Sequence, residues 1–280
     1  MRTVLLSDHP GDLLARSAGN RAQRVRSREK ALHSAVRERD KARAERRWLT
    51  WLRLAFRARR ERKSLSLVAS PRVPDDREEA IRAGRDAELR VAADLERALD
   101  GDWVLLRGYR NRRGEIDGLL LGPGGLFAYE VKYLNGTVHI SGDSWLAEKF
   151  DKYGNLVQPR APLLDRGGRS PSRQLREPAD ALRACLGQCG QRVTITPVIL
   201  LVHERSRIGS LRKPTVRVVT SVGDLVRLVS GSAAPAGPRL GAGRRAAIEK
   251  IIRDDHRRCE RGPRQHRPSG QRAPRRAGRR

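Results

Sequence analysis

The stretch GEIDGLLLGPGGLFAYEVKYL, residues 114–134, restricts the fold more than any other part of the chain. Two apolar runs of strand length flank Gly122-Pro123-Gly124-Gly125, and a Gly/Pro cluster between such runs marks a β-hairpin. Pairing Leu121 with Leu126 across a four-residue loop makes paired positions sum to 247, which sets Asp117 opposite Glu130. Lys132 lies two residues beyond Glu130 and shares its face. A two-residue loop keeps this register, whereas an odd loop slips it by one and sends Asp117 to the other face. Facing Cβ atoms are about 4.5–5.5 Å apart, and facing like charges destabilise a sheet. Two apposed carboxylates on an apolar hairpin therefore call for something positive between them. Their hard oxygens suit Mg²⁺ with water in the remaining positions, and Lys132 would stand beside it as a point charge. A solvated outer face explains the charges singly, but less well their place inside LFAYEVKYL.

Upstream, Asp75 and Asp76 are N-cap candidates, followed by Glu78 and Glu79 where negative charge is favoured. Ile81, Gly84, Glu88, Val91, Leu95 and Leu99 then recur at three- and four-residue steps, the spacing of one helix face. Glu88 interrupts that apolar stripe. It either snorkels outward, is bonded within the core, or meets a cation. Around the hairpin, Trp103–Arg107, Thr137–Ile140, Thr194–Val202 and Val216–Val219 read as strands. Leu175, Ala179, Leu182 and Leu186 mark a helix, and Val222–Val229 a closing one. Glu148–Arg169, long and rich in Gly and Pro, reads as an insertion or mobile loop. The whole is a mixed α/β pattern.

The flanks differ in composition. The chain carries 60 Lys and Arg against 32 Asp and Glu, a formal charge of +28. Residues 21–63 contribute +12 and residues 253–280 contribute +8. The first of these arms lacks Gly and Pro, so it reads as a basic helix. Within it Trp48, Leu49, Trp51, Leu52, Leu54, Ala55 and Phe56 form an apolar patch. The patch either packs against the neighbouring domain or lies on an anionic surface, membrane headgroups or phosphates. Pro71 and Pro74 mark the arm's end. Residues 231–243 read as a linker, 244–259 as a short helix, and the Arg-, Pro- and Gly-rich end as a disordered tail. The expected domains are 1–74, 75–230 and 231–280.

Several classes drop out. No stretch approaches the roughly 20 apolar residues of a membrane span. The N-terminus has no apolar run of signal-peptide length, and three Cys suit a reducing compartment, so a cytoplasmic location is expected. Cys185 and Cys189 lack two further ligands at zinc spacing. His139 fits a strand face better than a catalytic role. Ser141–Ser144 lacks the strand–turn–helix setting of a nucleophile elbow, and no Gly-Lys-Ser/Thr follows Gly125 to make a phosphate loop.

Gly114-Glu115-Ile116-Asp117, the GPGG turn and Glu130-Val131-Lys132 together resemble the NERD (nuclease-related) domain of the PD-(D/E)xK nuclease superfamily. The resemblance covers roughly residues 80–230. It implies a restriction-endonuclease-like core, a mixed sheet flanked by helices. It implies that Asp117 and Glu130 ligate Mg²⁺, with Mn²⁺ able to substitute. Glu88, preceded by Gly84 and Ala87, would complete or orient the site, and Lys132 would hold or activate the attacking water. Gln174 is the nearest match to a Gln often carried by the following helix. If one helix spans Gln174 and Pro178 it kinks, and if Pro178 opens the helix Gln174 loses its role. The implied partner is nucleic acid, DNA first, contacted by Arg112, Arg113 and Arg173 and gathered by the basic arms. The competing reading is a non-catalytic protein on the same scaffold that binds nucleic acid or an anionic membrane surface, since most of the net charge lies outside the core.

Overall fold

The computed structural model describes residues 1–69, 76–151, 153–231 and 239–261. Along the chain run β1 (Arg2–Leu5), α1 (His9–Ala44), α2 (Trp48–Ala69), α3 (Asp76–Ala98), β2 (Val104–Asn111), β3 (Gly114–Gly122), β4 (Gly125–Lys132) and β5 (Gly136–Ser141). Then follow β6 (Ser144–Phe150), β7 (Leu156–Pro162), α4 (Pro171–Gln188), β8 (Ile195–Leu201), β9 (Arg207–Arg212), β10 (Arg217–Val219), α5 (Val222–Ser230) and α6 (Ala242–Glu260). Among the described residues no helix is long and apolar enough to cross a membrane. The tail from residue 262, most of the linker and the expected cap Asp75 lie outside the described residues.

One mixed sheet has the order β1-β2-β3-β4-β8-β10. β2, β3 and β4 form an antiparallel meander, β1 adds parallel to β2, and β8 and β10 add in parallel beyond β4. Its central strands are apolar on both faces because both faces are covered. Leu119 and Leu121 pack with Leu175, Leu182 and Leu186 of α4 and with Ile248 and Ile252 of α6. Leu120, Phe127 and Tyr129 pack with Val91, Leu95 and Leu99 along α3 and with Leu225 and Val229 of α5. α4 starts at a capped turn, where the Ser170 side chain accepts from the Arg173 amide and Pro171 fills the first helical position. The helix spans both Gln174 and Pro178.

A second sheet, β7-β6-β5-β9, takes β7 and the end of β6 from the stretch expected to be an insertion or mobile loop. The Pro content that suggested a loop is tolerated because β7 is an edge strand, where a missing N–H need not break a ladder. Two further differences concern the flanks. The basic helical arm is a helical hairpin, not one helix. Its break falls at Arg46, whose φ is +54°. There the Arg47 amide reaches the Ala42 carbonyl at 2.9 Å and the Arg46 amide reaches Arg43 at 3.1 Å, a left-handed helix stop. In addition, the residues ahead of the arm supply β1, and α6 contributes to the core, so the sheet draws on chain from outside 75–230.

The hairpin holds the expected 247 register from Gly122–Gly125 to Gly118–Tyr129, and its ladder ends there. Asp117 has also left the ladder to β2, whose pairing skips Gly108 and Asp117. Strict alternation fails on both strands at this point. Leu106 and Tyr109, and likewise Ile116 and Leu119, are three residues apart yet share one cluster. Gly108 makes the irregularity feasible. Its φ is +68°, and a Cβ there would meet the Ser7 carbonyl oxygen at 2.1 Å. The Ser7 hydroxyl donates to the Gly108 carbonyl at 2.6 Å, seating the N-terminal segment on the break. Gly108→Ala should therefore lower unfolding free energy by roughly 2–3 kcal/mol and loosen residues 1–10. Urea denaturation with limited proteolysis checks this, and a loss under about 0.5 kcal/mol would contradict the seat described.

Candidate active site

Where β2 and β3 part, a cavity of about 140 Å³ opens between α3, the hairpin and the N-terminal segment. Glu88, Arg107, Glu115, Asp117 and Glu130 line it, together with residues 7–10. Larger hollows, of about 490 Å³ beside α6 and about 480 Å³ between α1 and α3, lack this set. α3 carries Glu88 to the cavity on the helical repeat that buries Val91 and Leu95. The Asp117 carboxylate accepts from the Val131 amide at 2.7 Å. It thus bridges the two strands by a side chain where the backbone pairing has ended.

Lys132 lies beyond Glu130. Its Nζ donates to Glu130 Oε1 at 2.9 Å and to Gln174 Oε1 at 3.0 Å. Gln174 is fixed in turn, since its Nε2 donates to the Arg169 carbonyl at 3.0 Å. The helix through Pro178 therefore brings Gln174 to the site. Arg113 and Arg173, both exposed, are linked through Arg169, the residue that also fixes Gln174: Arg169 donates to the Arg113 carbonyl at 3.2 Å, and Arg169 and Arg173 both pair with Glu177. Arg112 faces a different hollow, of about 230 Å³, beside Cys185 and Asp255.

The electrostatics follow from crowding like charges in a small space. Burial, then the charge of Glu130, pushes Glu88 up to about 7. Burial, then Glu130 and Glu88, raises Asp117 well above the usual carboxylate range. Burial also raises Glu115, although His9 and Arg110 pull against it. For Lys132, burial works against the charged form, but Glu130 outweighs it and holds the ammonium above its ordinary value. Asp8 moves the other way, lowered by a two-pronged contact from Arg85 at 2.6–3.2 Å.

Among the described residues no three His, Cys, Asp or Glu side chains are placed closely enough to hold a metal ion as they stand. Each hairpin acid leans on a different donor, Asp117 on an amide and Glu130 on Lys132. The chemistry of the donor set still fits a hard divalent ion. Mg²⁺ is usually held by one or two carboxylates, with water and substrate phosphates completing its shell. Two carboxyls raised by burial and then by their neighbours' charge are groups that an added cation would relieve.

Residues 83–202 match the model of the nuclease-related domain, NERD. This stretch is similar to a nuclease-related domain. No curated protein and no solved structure matches the chain. The NERD match contains Glu88, Asp117, Glu130, Lys132 and Gln174, and it ends short of the expected residue 230. It leaves out β1, the helical hairpin, α5 and α6.

Sequence reasoning missed Glu115, Arg107, Arg169 and the N-terminal segment. Glu115 was visible two residues before Asp117, and Arg107 as a charge ending an apolar strand. Nothing local marked residues 7–10, which arrive through pairing with β2. The rejected candidates take ordinary places. His139 meets Ser210 and Glu148 in the second sheet. Ser141–Ser144 is the β5–β6 turn. All three Cys are free thiols.

A carboxyl with a raised folded pKa stabilises the folded state least when ionised. Glu88 has an ordinary value of 4.5 and about 7 in the fold, so unfolding free energy should fall as pH rises through that window. The loss should be on the order of 2–3 kcal/mol in chelator, with Asp117 acting in the same direction. Urea denaturation of the parent and Glu88→Gln at pH 5 and pH 8 measures it. The variant should flatten the dependence, and a parent more stable at pH 8 would refute the crowding.

Proposed function

We propose that the protein is a divalent-metal-dependent nuclease acting on DNA, with its NERD domain built as a PD-(D/E)xK core. The observation that carries this reading is Lys132, held between Glu130 and Gln174 beside the cavity that Glu88 and Asp117 enter. Asp117 and Glu130 would hold Mg²⁺, or Mn²⁺ in its place, and Glu88 would complete or orient the set. The ion supplies a Lewis acid for the phosphoryl oxygens and lowers the pKa of water.

The other steps belong to side chains. Lys132 stays an ammonium, so it gives charge and a proton-donating contact to a phosphate oxygen and does not remove a proton. Accepting the water's proton would fall to a carboxylate, and Glu88, which lines the cavity from α3, is placed for that role. Gln174 fixes the direction of the ammonium. Arg113 and Arg173, linked through Arg169, suit phosphates flanking the cleaved bond, while Arg112, on another face, suits a more distant one.

Asp117→Ala and Lys132→Ala should each reduce plasmid cleavage in Mg²⁺ by roughly 10²–10³-fold, and Gln174→Ala by about tenfold. Unchanged cleavage by Lys132→Ala would refute the assignment, and a parent inactive in every divalent metal would refute the activity. A reading free of turnover is thermal stability. Mg²⁺ should raise the parent's melting temperature at pH 8 but not that of Asp117→Asn. An equal rise in both would remove Asp117 from the ligand set.

The second reading is a binding protein on a nuclease-related scaffold. The concentration of charge outside the NERD domain favours it. Removing residues 262–280, beyond α6, separates the two: lost DNA binding with no cleavage by any form supports the binding protein.

A further inference from the structure

We propose that the outer face of α2 is a docking surface for an anionic lipid bilayer. The apolar patch divides in two. Trp51, Leu54, Ala55 and Ala58 turn toward α1, where Ala35 and Ala42 are buried and small enough for close approach. Trp48, Leu49, Leu52 and Phe56 do not pack inward, being 62%, 79%, 46% and 70% exposed. At 3.6 residues per turn these four fall within an arc of about 100°. The expectation that the patch packs against the neighbouring domain fails for them.

That arc continues into Arg59 and Lys63, with Arg53 and Arg60 at its margin, all exposed. α2 has six Arg and Lys but a single acid, Glu61. Glu61 lies on the side toward α1, paired with Arg28 at 3.2 Å. The outer arc therefore combines bulky apolar side chains with cations and carries no carboxylate. An interfacial amphipathic helix has this composition: Trp, Leu and Phe enter the headgroup boundary while Arg and Lys meet anionic lipid.

Other occupants fit less well. Single-stranded nucleic acid would use Trp48 and Phe56 for stacking but gives Leu49 and Leu52 no role. A second copy would bring two strongly basic hairpins together. The helix would lie on the surface, in keeping with the absence, among the described residues, of a helix able to span a bilayer.

The test uses the full chain with vesicles of equal phosphatidylglycerol and phosphatidylcholine. Of the four Trp, Trp103 and Trp145 are buried, so emission changes report chiefly on α2. Expected are co-sedimentation, a blue-shifted emission, and roughly tenfold weaker binding to pure phosphatidylcholine. The double variant Leu49→Asp/Phe56→Asp, at exposed positions away from the cavity, should bind anionic vesicles at least about tenfold less while cleaving DNA like the parent. Binding equal to the parent's would overturn the proposal, because charge alone would then explain attachment. So would emission that responds to a single-stranded oligonucleotide and not to vesicles. A parent that sediments as a dimer without lipid and is split by the double variant would assign the face to self-association instead.

Discussion

Crowding of negative charge around one small cavity is the constraint to which the other features of the domain answer. Glu88, Glu115, Asp117 and Glu130 share its walls, with Arg107 as the cation of that lining. Like charges in a poorly solvated space cannot all ionise at ordinary cost. The fold disperses the problem by giving Asp117 an amide, Glu130 an ammonium and Glu88 a proton held up to about neutral pH. An arrangement that served stability alone would place apolar side chains here. The retained tension is what an added cation would relieve.

The backbone makes that crowding possible by breaking its own pattern. In an unbroken strand, Asp117 would continue the alternation of Leu119 and Leu121 toward α4. The unpaired Gly108–Asp117 position interrupts the alternation, and the aspartate instead reaches the cavity that α3 also faces. Helix α4 performs the complementary task from the other side, where Gln174 and the Arg169 carbonyl lock the lysine. Two helices on opposite faces of one sheet thus meet chemically at the end of a single hairpin.

Much of this was legible in the residues, because the informative signals were local. GPGG set the turn, the apolar runs set the strands, and the pairing sum gave the register that the ladder keeps as far as Gly118. Glu88 stood out as a charge in a helical stripe, whereas Gln174 came only through the resemblance to the family. What stayed hidden depended on distant chain. The gap in the β2–β3 pairing falls at Gly108, where Ser7 meets it, a contact no window of sequence contains. β7 looked like a loop because its prolines are harmless only at an edge, and an edge is a property of the finished sheet. Arg46 gave no warning of the helix break, since arginine ordinarily favours continuing a helix.

The outermost strand of the main sheet has a consequence for assembly in time. Arg2–Leu5 pairs with Val104–Arg107, so this strand leaves the ribosome about a hundred residues ahead of its partner. It must wait, unpaired, while the helical hairpin, α3 and β2 are translated. Closing so large a loop is slow, and contacts of long sequence separation retard folding. The wall that residues 7–10 give to the cavity therefore rests on a pairing of long sequence separation, the kind that forms slowly.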